Sequence, residues 1–242
     1  MDAIKTIGLT KKYGPLVAVD HLNLQIRQGE IFSLLGVNGA GKTTTVKMLS
    51  CLTRPTEGNA FVGGHSIVSE PSEVKALIGV SPQETAVAPH LSVQENLELM
   101  CGIHGFSKTK CRDKLQTLSE LLDLHGVLTK KAGKLSGGWQ RRVSIAMALI
   151  SEPSILFLDE PTLGLDVIAR SELWNVIRSL KGAVTIILTT HYMEEAQALS
   201  DRIGIMKDGR LLVVGTAREL MDRTGTDQFE RAFISIVKEE TL

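Results

Sequence analysis

The glycine-rich stretch GVNGAGKT at residues 36–43 has the residue types and spacing of a phosphate-binding loop. Glycines let the backbone turn so that successive N–H groups face a phosphate, and the helix expected after the loop adds its positive end. Lys42 would place a positive charge between the β- and γ-phosphates of a nucleotide, and the Thr43 hydroxyl is suited to Mg²⁺. We therefore expect nucleotide contacts from Gly36, Val37, Asn38, Gly39, Ala40, Gly41, Lys42, Thr43 and Thr44.

A second stretch, ILFLDEP at residues 155–161, carries two adjacent carboxylates at the end of an apolar run. In open α/β sheets, ligands bind at the carboxyl ends of the strands. Asp159 would then hold Mg²⁺, directly or through water, and Glu160 would orient and deprotonate the attacking water. Taken alone, an Asp-Glu pair here could equally cap a helix. Together with the phosphate loop it predicts nucleoside triphosphate hydrolysis, a chemistry that kinases, GTPases and motor proteins share.

The elements that must position these residues alternate between strand and helix patterns. Leu22, Leu24 and Ile26 alternate with polar residues, which predicts a half-buried strand. The continuous apolar run at 31–36 predicts a buried parallel strand, as does the run VTIIL near residue 186. Asp208-Gly209 between two apolar runs predicts a tight hairpin. The pattern predicts an α/β protein with a mostly parallel core sheet and an antiparallel sheet near the N-terminus.

The middle of the chain has helical patterns instead. Ser92 followed by Glu95 has the form of a capping box at a helix start. A leucine stripe at helical spacing follows, for which Gly126 is the expected helix end. The stretch from Thr224 to the end of the chain is mixed in character and supports no assignment.

The stretch LSGGWQRR at residues 135–142 distinguishes among the hydrolases. Leu135, Ser136, Gly137, Gly138 and Gln140 make it resemble the signature sequence of the ATP-binding cassette (ABC) family. The resemblance covers about residues 2–222, leaving 223–242 as a C-terminal extension. It implies a P-loop NTPase core with an N-terminal antiparallel β subdomain and an inserted helical subdomain at about 84–150.

The family resemblance also implies roles for single residues. Tyr13 would stack on adenine, Gln83 would reach Mg²⁺ and the attacking water, and His191 would contact the γ-phosphate. Glu160, His191 and Gln83 are thus the expected catalytic residues, and Thr43, Gln83 and Asp159 the expected magnesium ligands. The resemblance further implies that two copies of the chain face each other head to tail. Ser136, Gly137, Gly138 and Gln140 would therefore contact the ATP held by a second copy.

Three positions depart from the family pattern. Val37 stands where a proline is often found, which should matter little. Trp139 stands where many members have glutamine, and we expect it to pack at the start of the signature helix. Leu163, in the expected interface loop LGLD at 163–166, occupies a position that is usually small or polar and could alter the strength of dimerisation.

Composition limits the partners. Lys+Arg and Asp+Glu are both 27 of 242 residues, so no global charge recruits nucleic acid, and no run approaches the ~20 apolar residues of a membrane span. The three cysteines do not form a disulfide framework.

We expect the chain to be an ATPase subunit of a transporter that powers export. It would lie at the cytoplasmic face of the cell membrane as a peripheral subunit, bound to a separate transmembrane permease through residues 84–110. The alternatives are a soluble ABC ATPase of translation or DNA repair and, less consistent with the signature, a P-loop kinase.

Overall fold

A computed structural model describes residues 2–239 of the 242. Its strands are β1 (Asp2–Tyr13), β2 (Leu16–Leu22), β3 (Gln25–Arg27), β4 (Ile31–Leu35), β5 (Glu57–Val62), β6 (His65–Ser66), β7 (Ile78–Ser81), β8 (Ile155–Asp159), β9 (Thr185–Thr190), β10 (Arg202–Lys207) and β11 (Arg210–Gly215). Its α-helices are α1 (Lys42–Leu49), α2 (Pro71–Leu77), α3 (Val93–Ile103), α4 (Lys108–Leu121), α5 (Gly137–Leu149), α6 (Val167–Ser179), α7 (Met193–Leu199), α8 (Ala217–Thr224) and α9 (Phe229–Glu239).

Two sheets organise these elements. The core sheet has the order β11-β10-β4-β9-β8-β7 and is parallel except for the hairpin of β10 and β11. The second sheet is antiparallel, with the order β2-β1-β5-β6 and β3 paired to β1. Both sheets agree with the predicted fold class.

The central strands are apolar throughout because both of their faces are covered. On β8, Ile155 and Phe157 pack toward α1 and the antiparallel sheet, whereas Leu156 and Leu158 pack toward the helices on the opposite face. Side chains alternate along a strand, so Asp159 continues the face of Phe157 and lies on the side of α1. The register of this one strand thus determines where its terminal carboxylate points.

The predicted strand through Leu22 and Ile26 is wrong in one respect. The three apolar residues are buried and their polar neighbours are exposed, as expected, but the strand divides into β2 and β3. Thr6 explains the division, because its hydroxyl donates to Leu22 O and accepts from Leu24 N, which replaces part of the ladder. The Asp208-Gly209 hairpin is present as predicted, with both residues at positive φ.

The helical region differs from prediction in where one helix ends. The capping box of Ser92 and Glu95 is present at the start of α3. Helix α4 ends at Leu121, not at Gly126, because Asp123 takes a left-handed conformation at φ 54° and Leu124 N donates back to Ser119 O. This arrangement is a Schellman-type end that asparagine and aspartate, as well as glycine, can form.

Helices α2, α7 and α9 were not predicted from the sequence. Helix α2 precedes β7 and begins at Pro71, a residue favoured in a first helical turn. Helix α9 lies in the predicted extension 223–242, and its Phe229, Phe233 and Ile236 pack with α8 and β10 in one apolar cluster. Residues 240–242 of that extension lie outside the described residues.

Candidate active site

The phosphate loop connects β4 to α1 through a turn that only glycine can make at two positions. A Cβ on Gly36 would lie 2.4 Å from Met206 O, and one on Gly41 would lie 2.5 Å from Ala18 O. Gly41 is also the N-cap of α1 at φ 98°, a conformation that side chains disfavour. The loop backbone is therefore held against two neighbouring strands, with its N–H groups at the start of a helix.

The Lys42 ammonium lies beneath this loop and is 5% exposed. Nζ donates to Gly36 O at 2.7 Å and to Val37 O at 3.3 Å, and it is 3.3 Å from Glu160 Oε1. A buried charge needs a partner of opposite sign, and Glu160 provides it. The two sequence motifs therefore meet through this ion pair.

Asp159 lies beside the first residues of α1, as the strand register requires. Its Oδ1 accepts hydrogen bonds from Thr43 Oγ1 at 3.1 Å and from Thr189 Oγ1 at 2.5 Å. A threonine hydroxyl and an aspartate carboxylate are oxygen ligands of the kind that Mg²⁺ prefers. The structure thus brings together two of the three predicted magnesium ligands.

Glu160 contacts His191, the predicted catalytic histidine. Glu160 Oε2 is 2.5 Å from His191 Nδ1, so with the carboxylate ionised Nδ1–H donates and Nε2 remains free. The Glu160 backbone has φ 50°, and its N–H donates to Thr189 at both O and Oγ1. A non-glycine residue in this region costs about 1–3 kcal/mol, so the surrounding contacts hold Glu160 in a strained position.

A third carboxylate, Glu195 in the first turn of α7, lies behind this pair and was missed by sequence reasoning. It is fully buried, and its Oε1 accepts from Thr162 Oγ1 at 2.8 Å and Trp174 Nε1 at 3.2 Å. Burial raises the pKa of Glu195, and the charge of Glu160 raises it further. Hydrogen bonds to the carboxyl, including one from Thr190, lower the pKa but do not cancel the increase. In sequence it is one of two glutamates at a helix start, a pattern typical of exposed residues.

Lys42, Glu160 and His191 line a cavity of about 610 Å³. The exposed side chains of Tyr13 and Gln83 line it at its rim, together with Lys42, Glu160 and His191. Its other lining residues are Leu16, Val17, Ala18, Asn38, Gly39, Ala40, Gly41, Thr43, Thr44, Leu163 and Asp208. Most of the residues predicted to contact one nucleotide therefore share one cavity, while Gly36 and Val37 contribute carbonyls beneath it.

The signature residues do not line this cavity. Ser136 is the N-cap of α5, and both it and Gly137 are exposed. The Ser136 side chain makes no capping hydrogen bond to its helix, unlike Ser92 of α3. Gln140 is directed inward, and its Nε2 donates to Ala132 O and Leu135 O, both at 3.2 Å. Within one chain, residues 136–138 form a separate helix N-terminus that faces outward.

The sequence of the chain matches known proteins over most of its length. Residues 19–163 match the family described as ABC transporter. The chain is 43% identical over 229 residues to the daunorubicin resistance ATP-binding protein DrrA3 of Streptomyces coeruleorubidus, covering 94% of this chain and 72% of that protein.

The chain belongs to the ABC transporter family.

Solved structures of ABC proteins agree with this membership. An ATP-binding subunit of an ABC transporter superposes with a TM-score of 0.86 at 25% identity, covering 97% of this chain and 99% of that one. The ATP-binding cassette MJ0796, dimeric in a post-hydrolysis state with ADP and Pi, gives a TM-score of 0.79 at 29% identity over 88% of this chain and 98% of that chain. This chain is an ATP-binding and ATP-hydrolysing subunit of the family.

Trp139 is half-buried against the core, with the Arg142 guanidinium 4.8 Å from its ring centroid, so it packs at the start of α5 as expected. Among the helices within residues 2–239, none combines the length and the apolar character needed to cross a bilayer.

Proposed function

We propose that this subunit powers export through a separate transmembrane permease by closing with a second copy around two ATP molecules. The observation that carries the proposal is the separation within one chain of two sites for phosphate. The cavity beside Lys42 lacks the signature residues, and Ser136 and Gly137 are exposed elsewhere with an uncapped helix N-terminus. A head-to-tail pair of identical chains would place each signature over the nucleotide of the other chain.

Within one site, the proposed roles follow from position. Tyr13 at the rim offers a ring face for adenine, and the loop N–H groups and Lys42 bind the phosphates. Thr43, Asp159 and Gln83 would hold Mg²⁺, since all three offer oxygen and the first two are already 3.1 Å apart. When bound, Mg²⁺ would neutralise charge on the β- and γ-phosphate oxygens.

The proposed base, Glu160, is held by Lys42 and His191 in the structure described here. A γ-phosphate beside Lys42 would compete with Glu160 for the ammonium, because a phosphate carries more charge than one carboxylate. His191 Nε2, left free by the bond from Nδ1, would contact the same phosphate. ATP would thereby leave one Glu160 oxygen available to accept a proton from water.

The surface around the signature supports pairing with a second copy. Val167 and Ile168, at the start of α6, are 78% and 72% exposed. A Cβ on Gly138 would lie 3.1 Å from Ala169 Cβ, so this apolar surface adjoins the signature. Exposed apolar side chains beside such a site are typical of an interface, and burying them would stabilise the closed pair. ATP would supply the remaining contacts and shift the equilibrium toward closure.

Export through a permease rests on the relatives and on one helix. DrrA3 is named for daunorubicin resistance, which favours a drug-exporting transporter over the soluble alternatives of translation or DNA repair. In residues 84–110, helix α3 leaves Leu99 and Ile103 exposed, at 47% and 67%, while Val93 and Leu97 are buried. We propose this face as the contact with the permease, which would hold the subunit at the cytoplasmic face of the membrane.

Glu160→Gln tests the proposal because it removes the base while keeping the volume of the side chain and one of its two acceptor oxygens. We expect turnover to fall by at least about a hundredfold, ATP binding to persist, and an ATP-dependent dimer to appear on gel filtration. Glu230→Gln, which changes an exposed carboxyl on α9, is the matched control and should hydrolyse ATP normally. Normal hydrolysis by Glu160→Gln, or a monomer at saturating MgATP, would contradict the proposal.

A further inference from the structure

Arg141, one turn inside the signature helix α5, contacts the loop that carries Gln83. Nη1 donates to Pro82 O at 2.6 Å and Nη2 donates to Gln83 O at 2.7 Å, so one guanidinium binds two successive carbonyl oxygens. Arg141 is 5% exposed, although arginine is seldom buried. The Gln83 side chain, by contrast, is exposed at the rim of the ATP cavity. Arg141 therefore fixes the backbone of Gln83 without contacting its side-chain amide.

The same face of α5 is fixed to β7 at two further levels. Ser144, three residues after Arg141, shares a hydrogen bond of 2.9 Å with Ser81. Four residues later, a Cβ on Gly79 would lie 2.2 Å from Ala148 O, so strand and helix touch backbone to backbone. The spacing of three and four residues places these contacts in one row along the helix. Helix α5 and the end of β7 thus form one rigid unit.

The charge of Arg141 is not explained by an ion pair. Among residues 2–239 its guanidinium donates hydrogen bonds to the two carbonyl oxygens, and no carboxylate forms a salt bridge with it. Burial lowers its pKa, and the more distant charges of Asp159 and Glu195 oppose that decrease. Burying a guanidinium costs desolvation free energy, and apolar side chains of similar volume would stabilise the folded state more. Its benefit is a fixed geometry between α5 and Gln83.

In the proposed pair, Arg141 would lie between two ATP sites. The loop held by Arg141 carries Gln83 into the chain's own cavity, and the helix that bears Arg141 begins at Ser136, which faces outward. We propose that Arg141 is a positioning residue that couples Gln83 in one ATP site to the signature serving the other site. This inference rests on the proposed head-to-tail pairing and extends it with a specific connection between the sites.

The test measures ATP-dependent dimer formation in the Glu160→Gln background. Arg141→Met keeps most of the volume and removes both donors, so we expect half-maximal dimerisation to need about tenfold more MgATP and its Hill coefficient to fall toward one. Arg141→Lys keeps the charge but can serve one carbonyl at a time, and should give an intermediate value. ATP binding to the lone protomer, through Tyr13 and Lys42, should be unchanged in both variants.

Two controls separate coupling from loss of structure. Ser144→Ala breaks another bond in the same row without touching the Gln83 backbone, and should leave the MgATP dependence of dimerisation unchanged whatever its effect on Tm. In a double-mutant cycle, Arg141→Met should add little to Gln83→Ala, because both changes act through one group.

Equal effects of Arg141→Met with and without Gln83→Ala would overturn the inference, as would unchanged dimerisation or a matching shift in Ser144→Ala. In those cases the proposed function stands if Glu160→Gln still forms its ATP-bound dimer. If Glu160→Gln itself fails to dimerise, the proposed function fails, and this inference fails with it.

Discussion

The carboxyl edge of the core sheet and the N-terminus of α5 differ in how completely one chain satisfies their polar groups. At the sheet edge, Lys42 pairs with Glu160, Glu160 with His191, and Asp159 with two threonine hydroxyls. At the start of α5, Ser136 makes no cap and Gly137 is exposed. A folded chain normally satisfies its buried polar groups, whereas helix ends left open are available to ligands.

This difference suggests that the two regions act at different stages of ATP binding. The sheet edge is organised before ATP arrives, because its charges already hold one another in place. The N-terminus of α5 offers exposed backbone donors without charged side chains at 136–138, so on its own it would bind phosphate weakly. In the proposed pairing, it would act only when a second chain presents a phosphate that is already bound.

Among the substitutions that test this difference between the two regions, Gly137→Asp should have the largest effect. A Cβ at Gly137 would make only an ordinary 3.6 Å contact with Leu165 Cδ2, and an aspartate in a first helical turn favours the helix. Folding should therefore be unaffected, but the carboxylate would repel the γ-phosphate of the partner chain. We expect turnover to fall by at least about tenfold while the lone protomer keeps its ATP affinity. A parallel loss of ATP affinity in the protomer would place the signature in its own site instead.

Glu195→Gln tests the sheet edge through the pH dependence of stability, and its effect should be smaller than that of Gly137→Asp. Burial raises the pKa of Glu195 above that of the unfolded chain, so the folded state holds the proton more tightly. The stability that this proton provides is present at low pH and is lost as pH rises through the raised pKa. The free energy of unfolding should thus fall less steeply from about pH 5 to about pH 8 in Glu195→Gln than in the wild type.

Glu194→Gln is the control for this pH test, because Glu194 is the exposed neighbour of Glu195 in the same turn. Its unfolding should follow the wild-type pH dependence in urea titrations. An unchanged slope in Glu195→Gln would show that the Glu195 carboxyl is ionised in the folded protein over the whole range.

Two serines at helix N-termini offer the smallest and most specific test. Ser92 caps α3 by accepting from Glu95 N, so Ser92→Ala should cost about 1 kcal/mol of stability. Ser136 makes no such bond, and Ser136→Ala should leave the Tm of the nucleotide-free protein unchanged while weakening ATP-dependent dimerisation. If both substitutions cost the same stability, Ser136 is an ordinary cap.

Some of the site could be predicted from residue types and spacing. The loop at 36–43 and the strand ending in Asp159 lie where they were expected, since each is a local pattern with one geometric meaning. The positions of Tyr13, Gln83 and His191 came from the family resemblance, because a single aromatic, amide or imidazole has no distinctive local pattern. All three line the cavity beside Lys42, and their roles remain predictions.

The remaining features depend on packing between distant segments. Glu195 and Arg141 read as surface residues in sequence, and their burial follows from how α7 and α5 lie against the core sheet. The amide of Gln140, expected to contact nucleotide, donates to two carbonyls that precede α5. The tail was left unassigned, yet Phe229, Phe233 and Ile236 have helical spacing that becomes informative once β10 is known to receive them.

A structure of Glu160→Gln bound to MgATP tests the central claim most directly. We predict two chains related by a two-fold axis, with the Ser136 hydroxyl and the Gly138 N–H of one chain at about 2.7–3.2 Å from γ-phosphate oxygens held by Lys42 of the other. A single chain with ATP fully ordered beside Lys42 and residues 136–138 facing solvent would contradict the account.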